Sequence, residues 1–358
     1  MLISAIDRFS LLRLAAVFWL GGGLAQAGTF LFTTIDDPSA QFYPATYANA
    51  LNNSGVITGS YSTSEFHSTG FIYNGGAFST ISDTKFQIGS SVNDTNPTGI
   101  NDSGVIVGSY RNLFGTNGFV YSNGTFTDID VAGAFDTYAT GINNSGQIVG
   151  YSYNGTSYSG FLDSSGSFAS LNDPHAGNSF GQGTYPFSIN ASGAVVGYYV
   201  DSNNVAHGFL EQNGVFTTLD DPNASQVAQE GTYARGINNL GQIVGYSIAS
   251  GTGQDLGLDY HGFLFSSGSF TTIDNPGAIA TGATEVTGIN DLGQIVGQFT
   301  CATCGDNYQG FFATPNGQSA APEPSTCPLF IIGTIMVSFF HRGHGCKRPP
   351  GRARSGGH

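Results

Sequence analysis

The stretch Ile142-Asn-Asn-Ser-Gly-Gln-Ile-Val-Gly150 decides the fold, because it joins a tight turn to a short apolar run. Asn and Gly tolerate positive φ, and an Asn side chain bonds nearby backbone, so this segment predicts a hairpin turn between two strands. The segment recurs six times, with its first asparagine at Asn52, Asn101, Asn143, Asn190, Asn238 and Asn290. The spacings of 49, 42, 47, 48 and 52 residues are typical of one propeller blade or one solenoid unit.

A Gly-Phe pair follows each of these turns further along the chain. The pairs are Gly70-Phe71, Gly118-Phe119, Gly160-Phe161, Gly208-Phe209, Gly262-Phe263 and Gly310-Phe311. In the first five copies a second Phe lies seven residues after the first, across a turn that contains Gly. Together with the first hairpin, this pattern predicts four short antiparallel strands in each unit, which we call a, b, c and d in chain order.

The two ends of the repeat complete each other. Residues 32–38, Phe-Thr-Thr-Ile-Asp-Asp-Pro, nearly repeat residues 216–222 and 270–276, whereas the last unit has no strand d after Phe311. We therefore predict an all-β fold: a six-bladed β-propeller of four-stranded antiparallel blades, in which the N-terminal strand closes the last blade. An open β-solenoid is the alternative, and it would need capping units that the sequence does not contain.

The connections between the predicted strands differ in regularity. The a–b and c–d connections have a fixed length, whereas the b–c and d–a connections vary from unit to unit. In an up-and-down sheet the two variable connections lie on the same side. One face is therefore expected to carry uniform tight turns and the other irregular loops, and we expect binding function on the irregular face.

The N-terminus has the layout of a secretory signal peptide over residues 1–27. Arg8 and Arg13 precede an apolar run at residues 14–20, and the small-residue site Ala25-Gln26-Ala27 predicts cleavage after Ala27. The alternative, an N-terminal membrane anchor, is disfavoured because the apolar run is short and three glycines follow it.

The C-terminus, residues 318–358, carries a motif, an apolar segment and a basic tail in that order. Pro322-Glu323-Pro324 precedes the mostly apolar residues 327–340, and five basic residues follow. This arrangement resembles the PEP-CTERM sorting signal of exported bacterial proteins. The resemblance implies processing by a membrane-embedded exosortase and a location at the cell surface or among exopolysaccharide. A plain C-terminal membrane anchor is the alternative.

Charge excludes one class of partner. Residues 28–322 contain three basic side chains, Lys85, Arg111 and Arg235, against 22 acidic ones, so their net charge is −19. A surface with three cations cannot neutralise a phosphate backbone, and we therefore expect no nucleic-acid binding.

The units themselves resemble the HAF repeat, which is named for a His-Ala-Phe-like motif and is common in predicted extracellular bacterial proteins. His207-Gly208-Phe209 and His261-Gly262-Phe263 are the closest matches, with Gly in the place of Ala. The resemblance covers roughly residues 30–314. It implies an extracellular repeat domain, here residues 28–317, and no particular activity.

An Asp-Pro pair recurs at the end of strand d as Asp37-Pro38, Asp173-Pro174 and Asp221-Pro222. If these loops lie together on the irregular face, the carboxylates would be able to hold Ca²⁺, which accepts Asp and backbone oxygens. The alternative is turn formation, because Asp before Pro initiates turns without any ligand. We expect no resident cofactor or metal and keep calcium as the alternative.

Residues that break the repeat are the candidates for a specific site, because six equivalent positions rarely supply one acid and one base. These are His175, Glu230, Arg235 and Glu285. We place Glu230 and Arg235 with Asp37, Asp173 and Asp221 as candidate ligand-face residues and assign no catalytic residue. The tyrosines near the start of strand a, Tyr47, Tyr138, Tyr185 and Tyr233, are expected to pack between blades, with sugar stacking as the alternative.

Cys301 and Cys304 lie in the b–c loop of the last unit. Outside the cytoplasm we expect a local disulfide between them, because a zinc site would need a second Cys or His pair. The sequence thus predicts an exported, non-enzymatic propeller with a binding or structural role, partnered by an exosortase and by exopolysaccharide or a surface protein. An extracellular polysaccharide hydrolase or lyase with its site on the irregular face is the alternative.

Overall fold

The computed structural model describes residues 25–27, 30–40, 45–64, 67–82, 94–112, 114–249, 259–278, 283–301 and 307–316. The chain divides into two units, Met1–Ala320 and Ala321–His358. All of the described residues belong to the first unit, and the predicted motif Pro322-Glu323-Pro324 lies outside them.

The described residues form β-strands and no helix, as predicted. Two strands precede the repeats: β1 (Ala25–Ala27) and β2 (Phe30–Ile35). The first three units contain β3 (Thr46–Leu51), β4 (Ile57–Ser64), β5 (His67–Asn74), β6 (Ala77–Ile81), β7 (Asp94–Ile100), β8 (Ile106–Asn112), β9 (Gly115–Ser122), β10 (Thr125–Ile129), β11 (Asp136–Ile142), β12 (Gln147–Tyr153), β13 (Tyr158–Ser164) and β14 (Ser167–Ser170). The last three contain β15 (Gly183–Ile189), β16 (Val195–Val200), β17 (Ala206–Gln212), β18 (Val215–Leu219), β19 (Gly231–Ile237), β20 (Ile243–Ala249), β21 (Asp259–Ser266), β22 (Ser269–Ile273), β23 (Thr284–Ile289), β24 (Ile295–Thr300) and β25 (Tyr308–Pro315).

Each repeat folds as a four-stranded antiparallel sheet in the predicted order a, b, c, d. Sheets 1 to 5 are β3–β6, β7–β10, β11–β14, β15–β18 and β19–β22. Single parallel bridges, Tyr158 with Gly183 and Ala206 with Gly231, link sheets 3, 4 and 5 into one hydrogen-bonded system.

Sheet 6 is completed from the other end of the chain. Strands β23, β24 and β25 are its a, b and c strands, and β2 pairs antiparallel with β25, with Thr33 opposite Phe312. Phe32 of β2 makes an edge-to-face contact with Phe311 at 5.2 Å between ring centroids. Phe71 and Phe78 pack in the same way at 5.3 Å in sheet 1, so Phe32 takes the place of the second Phe of a repeat. The predicted pairing of the N-terminal strand with the last unit is confirmed.

β1 continues this sheet beyond β2, with Ala27 opposite Phe30. The predicted cleavage after Ala27 would remove β1 and leave β2 in place. Residues 1–24 lie outside the described part of the chain. Among the residues that the structure describes, there is no helix with the length and apolar character needed to cross a membrane.

Strand a carries an irregularity that the sequence pattern did not predict. In all six a strands the register with strand b shifts by one residue, as between Ala234 and Gly236 in β19, so that one residue bulges out of the ladder. A Gly of strand b lies beside each bulge. A Cβ on Gly245 would lie 2.1 Å from the carbonyl oxygen of Tyr233, so only glycine allows the two strands to approach this closely.

The apolar core lies between consecutive sheets. Strand a of each sheet packs against strand b of the sheet before it, and β3 of sheet 1 packs in the same way against β24 of sheet 6. One cluster joins Val107 of sheet 2 to Ile142 of sheet 3, and another joins Val296 of sheet 6 to Leu51 of sheet 1. Phe71, Phe119, Phe209 and Phe311 of the Gly-Phe pairs are fully buried.

The asparagines of the turn motif connect the same neighbours. Asn52 donates its side-chain N–H to the carbonyl oxygen of Asn101 at 3.2 Å, and each later asparagine donates in the same way to the next. Asn290 of sheet 6 donates to the carbonyl of Asn52 at 3.2 Å, which returns the series to its start. The side-chain oxygen of each asparagine also accepts backbone N–H groups of its own turn, as in the predicted hairpin.

Candidate functional site

The six bulges aim six equivalent side chains at a common centre. We call these residues the waist: Asn49, Thr98, Thr140, Phe187, Arg235 and Thr287, each three positions before the first asparagine of a turn motif. All six line both a cavity on the side of the tight turns and a second cavity on the side of the irregular loops. Bulges commonly re-aim a side chain in this way.

Four waist residues follow one rule. Asn49, Thr98, Thr140 and Thr287 donate side-chain hydrogen bonds of 2.6–2.8 Å to a carbonyl oxygen of the next a strand. These bonds hold neighbouring sheets together at the centre.

Phe187 and Arg235 break the rule at adjacent sheets. The guanidinium carbon of Arg235 lies 3.9 Å from the centroid of the Phe187 ring, and one guanidinium N–H donates to the Tyr246 hydroxyl at 2.9 Å. The rings of Tyr198 and Tyr246 lie 5.6 and 5.3 Å from the guanidinium carbon. Arginine over aromatic faces is a favourable cation–π arrangement. The Nε atom of Arg235 is buried without a hydrogen-bond partner among the described residues.

The loop-side cavity has a volume of about 330 Å³ and two unlike halves. Sheets 3 and 4 contribute aromatic rings: Tyr138, Tyr151, Phe187 and Tyr198. Sheets 6, 1 and 2 contribute polar side chains: Glu285, Gln298, Asn49, Asn96 and Ser109. The positions that hold Tyr138 and Tyr151 in sheet 3 hold Asn96 and Ser109 in sheet 2, and they hold Glu285 and Gln298 in sheet 6.

Glu285 is the carboxylate of this cavity among the described lining residues. Burial raises the pKa of Glu285, while Arg235 and a 2.9 Å hydrogen bond from the Gln298 amide act in the opposite direction. The Gln298 side-chain oxygen is buried and has no hydrogen-bond partner within the described residues. The cavity thus presents a cation, a carboxyl group and amides beside aromatic faces.

The tyrosines near the start of strand a pack against neighbouring strands. Tyr185 contacts Tyr151 of the preceding sheet at 5.0 Å, and Tyr47 contacts Tyr308 of sheet 6 at 5.8 Å between ring centroids. Tyr233 also contacts Tyr198 of the preceding sheet at 4.8 Å. The expected packing between sheets is therefore observed for these three tyrosines, whereas Tyr138 stacks on Tyr151 of its own sheet at 4.7 Å and lines the loop-side cavity.

The aspartates of the Asp-Pro pairs do not converge on either central cavity. Asp37, Asp173 and Asp221 are each 4–5% exposed, and each accepts the backbone N–H two residues further on at 2.8–2.9 Å. Their own backbone N–H groups donate to a threonine of the following a strand, as Asp173 does to Thr184 at 2.9 Å. This is the geometry expected when an Asp-Pro pair forms a turn without any ligand.

Of the remaining candidates, Arg235 lies in the waist, whereas Glu230 lies in the connection before β19 and lines neither central cavity. Across the described ranges, no group of three or more His, Cys, Asp or Glu side chains is placed to hold a metal ion. Cys301 is disulfide-bonded. Cys304 lies outside the described residues, so its pairing with Cys301 stays a prediction.

Sequence reasoning missed Phe187, Tyr151, Tyr198 and Gln298. A comparison of the six units position by position finds them, because Phe187 stands three residues before its asparagine where three units have Thr. The other three follow the Gly of strand b, where sheets 1 and 2 have Ser60 and Ser109.

No protein-family model matches the sequence, and no curated protein matches it. Solved structures give distant similarities. Aleuria aurantia lectin, described as a six-bladed β-propeller with fucose recognition, is 14% identical with a TM-score of 0.49, over 79% of this chain and 99% of the lectin. AofleA from Arthrobotrys oligospora is 12% identical with a TM-score of 0.47, over 76% and 84% of the two chains. Trypanosoma rangeli sialidase is 9% identical with a TM-score of 0.49, over 81% of this chain and 58% of the sialidase.

Proposed function

We propose that this chain is an exported bacterial six-bladed β-propeller that binds carbohydrate in its loop-side cavity and catalyses no reaction. Closure of the six sheets into a ring is part of the proposal. It is supported by the return of the asparagine hydrogen bonds from Asn290 to Asn52 and by the packing of β24 on β3.

Export rests on the two ends of the sequence. The segment that ends at Ala27 directs the chain out of the cytoplasm, and the Pro322-Glu323-Pro324 segment is the substrate of an exosortase. The propeller is then released or anchored at the cell surface, where exopolysaccharide or a surface protein is its partner. The net charge of −19 over residues 28–322 suits a soluble domain outside the cell.

The unlike halves of the loop-side cavity carry the binding proposal. A sugar ring has an apolar face of C–H groups and an edge of hydroxyls. Tyr151 and Phe187 match the face, whereas Arg235, Glu285 and Gln298 offer donors and acceptors to the edge. Ligand pockets of about 300–1,000 Å³ with a few convergent polar groups are typical of small-molecule sites, and this cavity lies at the lower end of that range.

The number of carboxyl groups in the loop-side cavity favours binding over hydrolysis. Glycosidases usually need two carboxyl groups about 5–10 Å apart across the scissile bond. Among the described residues that line the loop-side cavity, Glu285 is the one carboxylate. A hydrolase or lyase is the second candidate, because the raised pKa of Glu285 would suit a general acid.

A glycan-array screen of the purified protein, with and without calcium, tests the proposal. We expect specific glycan binding that does not need calcium, and at least a tenfold weaker affinity in Arg235→Met, because the cation and its bond to Tyr246 are lost. Lys85→Met removes one positive charge at another position of the sequence and controls for the change in net charge. Equal affinity in Arg235→Met would contradict the site, and release of reducing sugar that Glu285→Gln abolishes would favour the hydrolase.

A further inference from the structure

A groove opens between sheets 2 and 3 on the side of the irregular loops, outside the loop-side cavity. Its volume is about 580 Å³, and strands β7, β8, β9 and β11 contribute its walls. Asn96, Ser109 and Tyr138 line both this groove and the loop-side cavity, so the two spaces meet at these side chains.

The groove is open because sheet 2 lacks three tyrosines that fill the equivalent space in sheet 3. Counting from the Gly of strand b or strand c, sheet 3 has Tyr151, Tyr153 and Tyr158 where sheet 2 has Ser109, Arg111 and Thr116. Tyr158 contacts Tyr153 at 4.9 Å and Tyr185 of sheet 4 at 5.0 Å, which fills the space between sheets 3 and 4. Ser109, Arg111 and Thr116 are among the residues that line the groove.

The lining of the groove has the same mixed chemistry as the loop-side cavity. Phe114 lies at its rim with 86% of its surface exposed, and its backbone N–H donates to the Asn112 side chain at 2.7 Å. Arg111 gives the groove one of the three basic side chains of residues 28–322. The ring of Phe114 stands beside donors and acceptors of the groove that suit sugar hydroxyls.

The two aspartates of the groove are held by the protein itself. Asp94 accepts the backbone N–H of Ser68 at 3.0 Å, and Asp136 accepts that of Thr116 at 2.8 Å. Each stands at the first position of its a strand and fixes the position of strand c of the preceding sheet.

We propose that this groove is a second sugar subsite, and that the ligand is a glycan chain of at least two residues. One residue of the chain occupies the loop-side cavity, and the next lies in the groove against Phe114. The proposal rests on the carbohydrate binding proposed above and names the ligand as a chain. A single sugar would leave the groove empty.

Chain-length dependence tests the proposal. The full-length protein is screened on an array that carries mono-, di- and trisaccharide members of neutral and carboxylated series, and the affinity of the bound series is then measured in solution. We expect the trisaccharide to bind at least tenfold more tightly than the monosaccharide. Thr116→Tyr, which restores the tyrosine of sheet 3, and Phe114→Ala should each reduce this gain below threefold and leave the monosaccharide affinity unchanged.

Phe180→Ala is the matched control, because Phe180 is 77% exposed and lines neither the groove nor the two central cavities. It should keep the full gain. Phe114 is exposed, so its truncation leaves the fold intact even if Thr116→Tyr does not fold. Equal affinity for monosaccharide and trisaccharide, or an undiminished gain in Phe114→Ala, overturns the subsite and leaves the central site standing. Binding of no glycan overturns both proposals.

Discussion

Individual residues distinguish the six units of a fold that is otherwise repeated. Arg235 could be selected from sequence because it is one of three basic residues between positions 28 and 322 and has no basic counterpart in the other units. Phe187 could not be selected by composition, because the chain contains 28 phenylalanines. Its role depends on its position beside Arg235, which follows from the order of neighbouring sheets and from the bulge that turns both side chains inward.

The Asp-Pro pairs show a different limit. The sequence allowed either a turn or a calcium site, since both use the same carboxylate oxygens. In the structure each Asp bonds the backbone two residues ahead, and Asp221 also accepts a 3.0 Å hydrogen bond from Ser247. The sequence of a motif does not reveal whether its copies lie close together, because that depends on the distance at which the fold holds neighbouring loops.

From the contacts of His261, in the second His-Gly-Phe motif, we predict that the stability of the protein depends on pH. Nδ1 of His261 lies 3.1 Å from Asp274 and Nε2 lies 3.4 Å from Asp259. The hydrogen bond to Asp274 raises the pKa of His261 to about 9, against burial, which lowers it. Because the folded pKa is raised above 6.5, the stabilisation is complete below pH 6.5 and is lost as the pH rises through about 9.

We therefore expect His261→Gln to lower the free energy of unfolding by about 1 kcal/mol at pH 6, allowing for solvent screening, and by much less at pH 10. Denaturant unfolding at a series of pH values measures the difference. His175→Gln, whose side chain is 70% exposed, is the control and should have a smaller effect. A difference between wild type and His261→Gln that stays constant from pH 6 to pH 10 would show that the pair contributes no pH dependence.

Among the elements, hairpins were predictable and bulges were not. The Asn-rich turns and the Gly-Phe pairs mark strand ends directly, and the observed strands follow them. A bulge leaves no trace in an alternating pattern of apolar residues. It can be inferred only from the repeated Gly of strand b, such as Gly150, whose absent side chain makes room for the carbonyl of Tyr138.

Gly150→Ala tests this arrangement. Its Cβ would lie 2.0 Å from the Tyr138 carbonyl oxygen and 2.6 Å from the Phe161 ring, so the a and b strands would have to separate. We expect a loss of about 3 kcal/mol in the free energy of unfolding, measured by urea denaturation. Gly146→Ala is the control in the same unit, because Gly146 has a φ of +78° and no atom near its Cβ position.

Backbone strain alone should make Gly146→Ala cost about 1–2 kcal/mol. If the two variants lose the same free energy, or if Gly146→Ala loses more, the close approach of the strands is not what the glycine of strand b provides.

At the scale of the whole molecule, the pairing of β2 with β25 was predictable because the two ends are complementary fragments of one repeat. Residues 32–38 match strand d but have no strands a to c before them, and the last unit has strands a to c but no strand d. Pairing the two therefore uses every fragment once. The unlike halves of the central cavity were not predictable, since they depend on which units become neighbours. Tyr151 and Tyr198 come from the consecutive sheets 3 and 4, whereas Ser109 of sheet 2 and Gln298 of sheet 6 line the polar part of the same cavity.

The central claim is that the N-terminal strand β2 completes the last sheet, and a cysteine cross-link between β2 and β25 tests it most directly. Leu31 and Thr314 are opposite each other in these strands, at a spacing suited to a disulfide, so Leu31→Cys/Thr314→Cys should cross-link under mild oxidation. Leu31→Cys/Thr125→Cys, with the second cysteine on β10 of sheet 2, is the control and should stay uncross-linked. Peptide mapping by mass spectrometry separates the new bond from native cysteines. The account predicts cross-linking of most molecules in the first pair, and a folded protein that forms none of it would contradict the account.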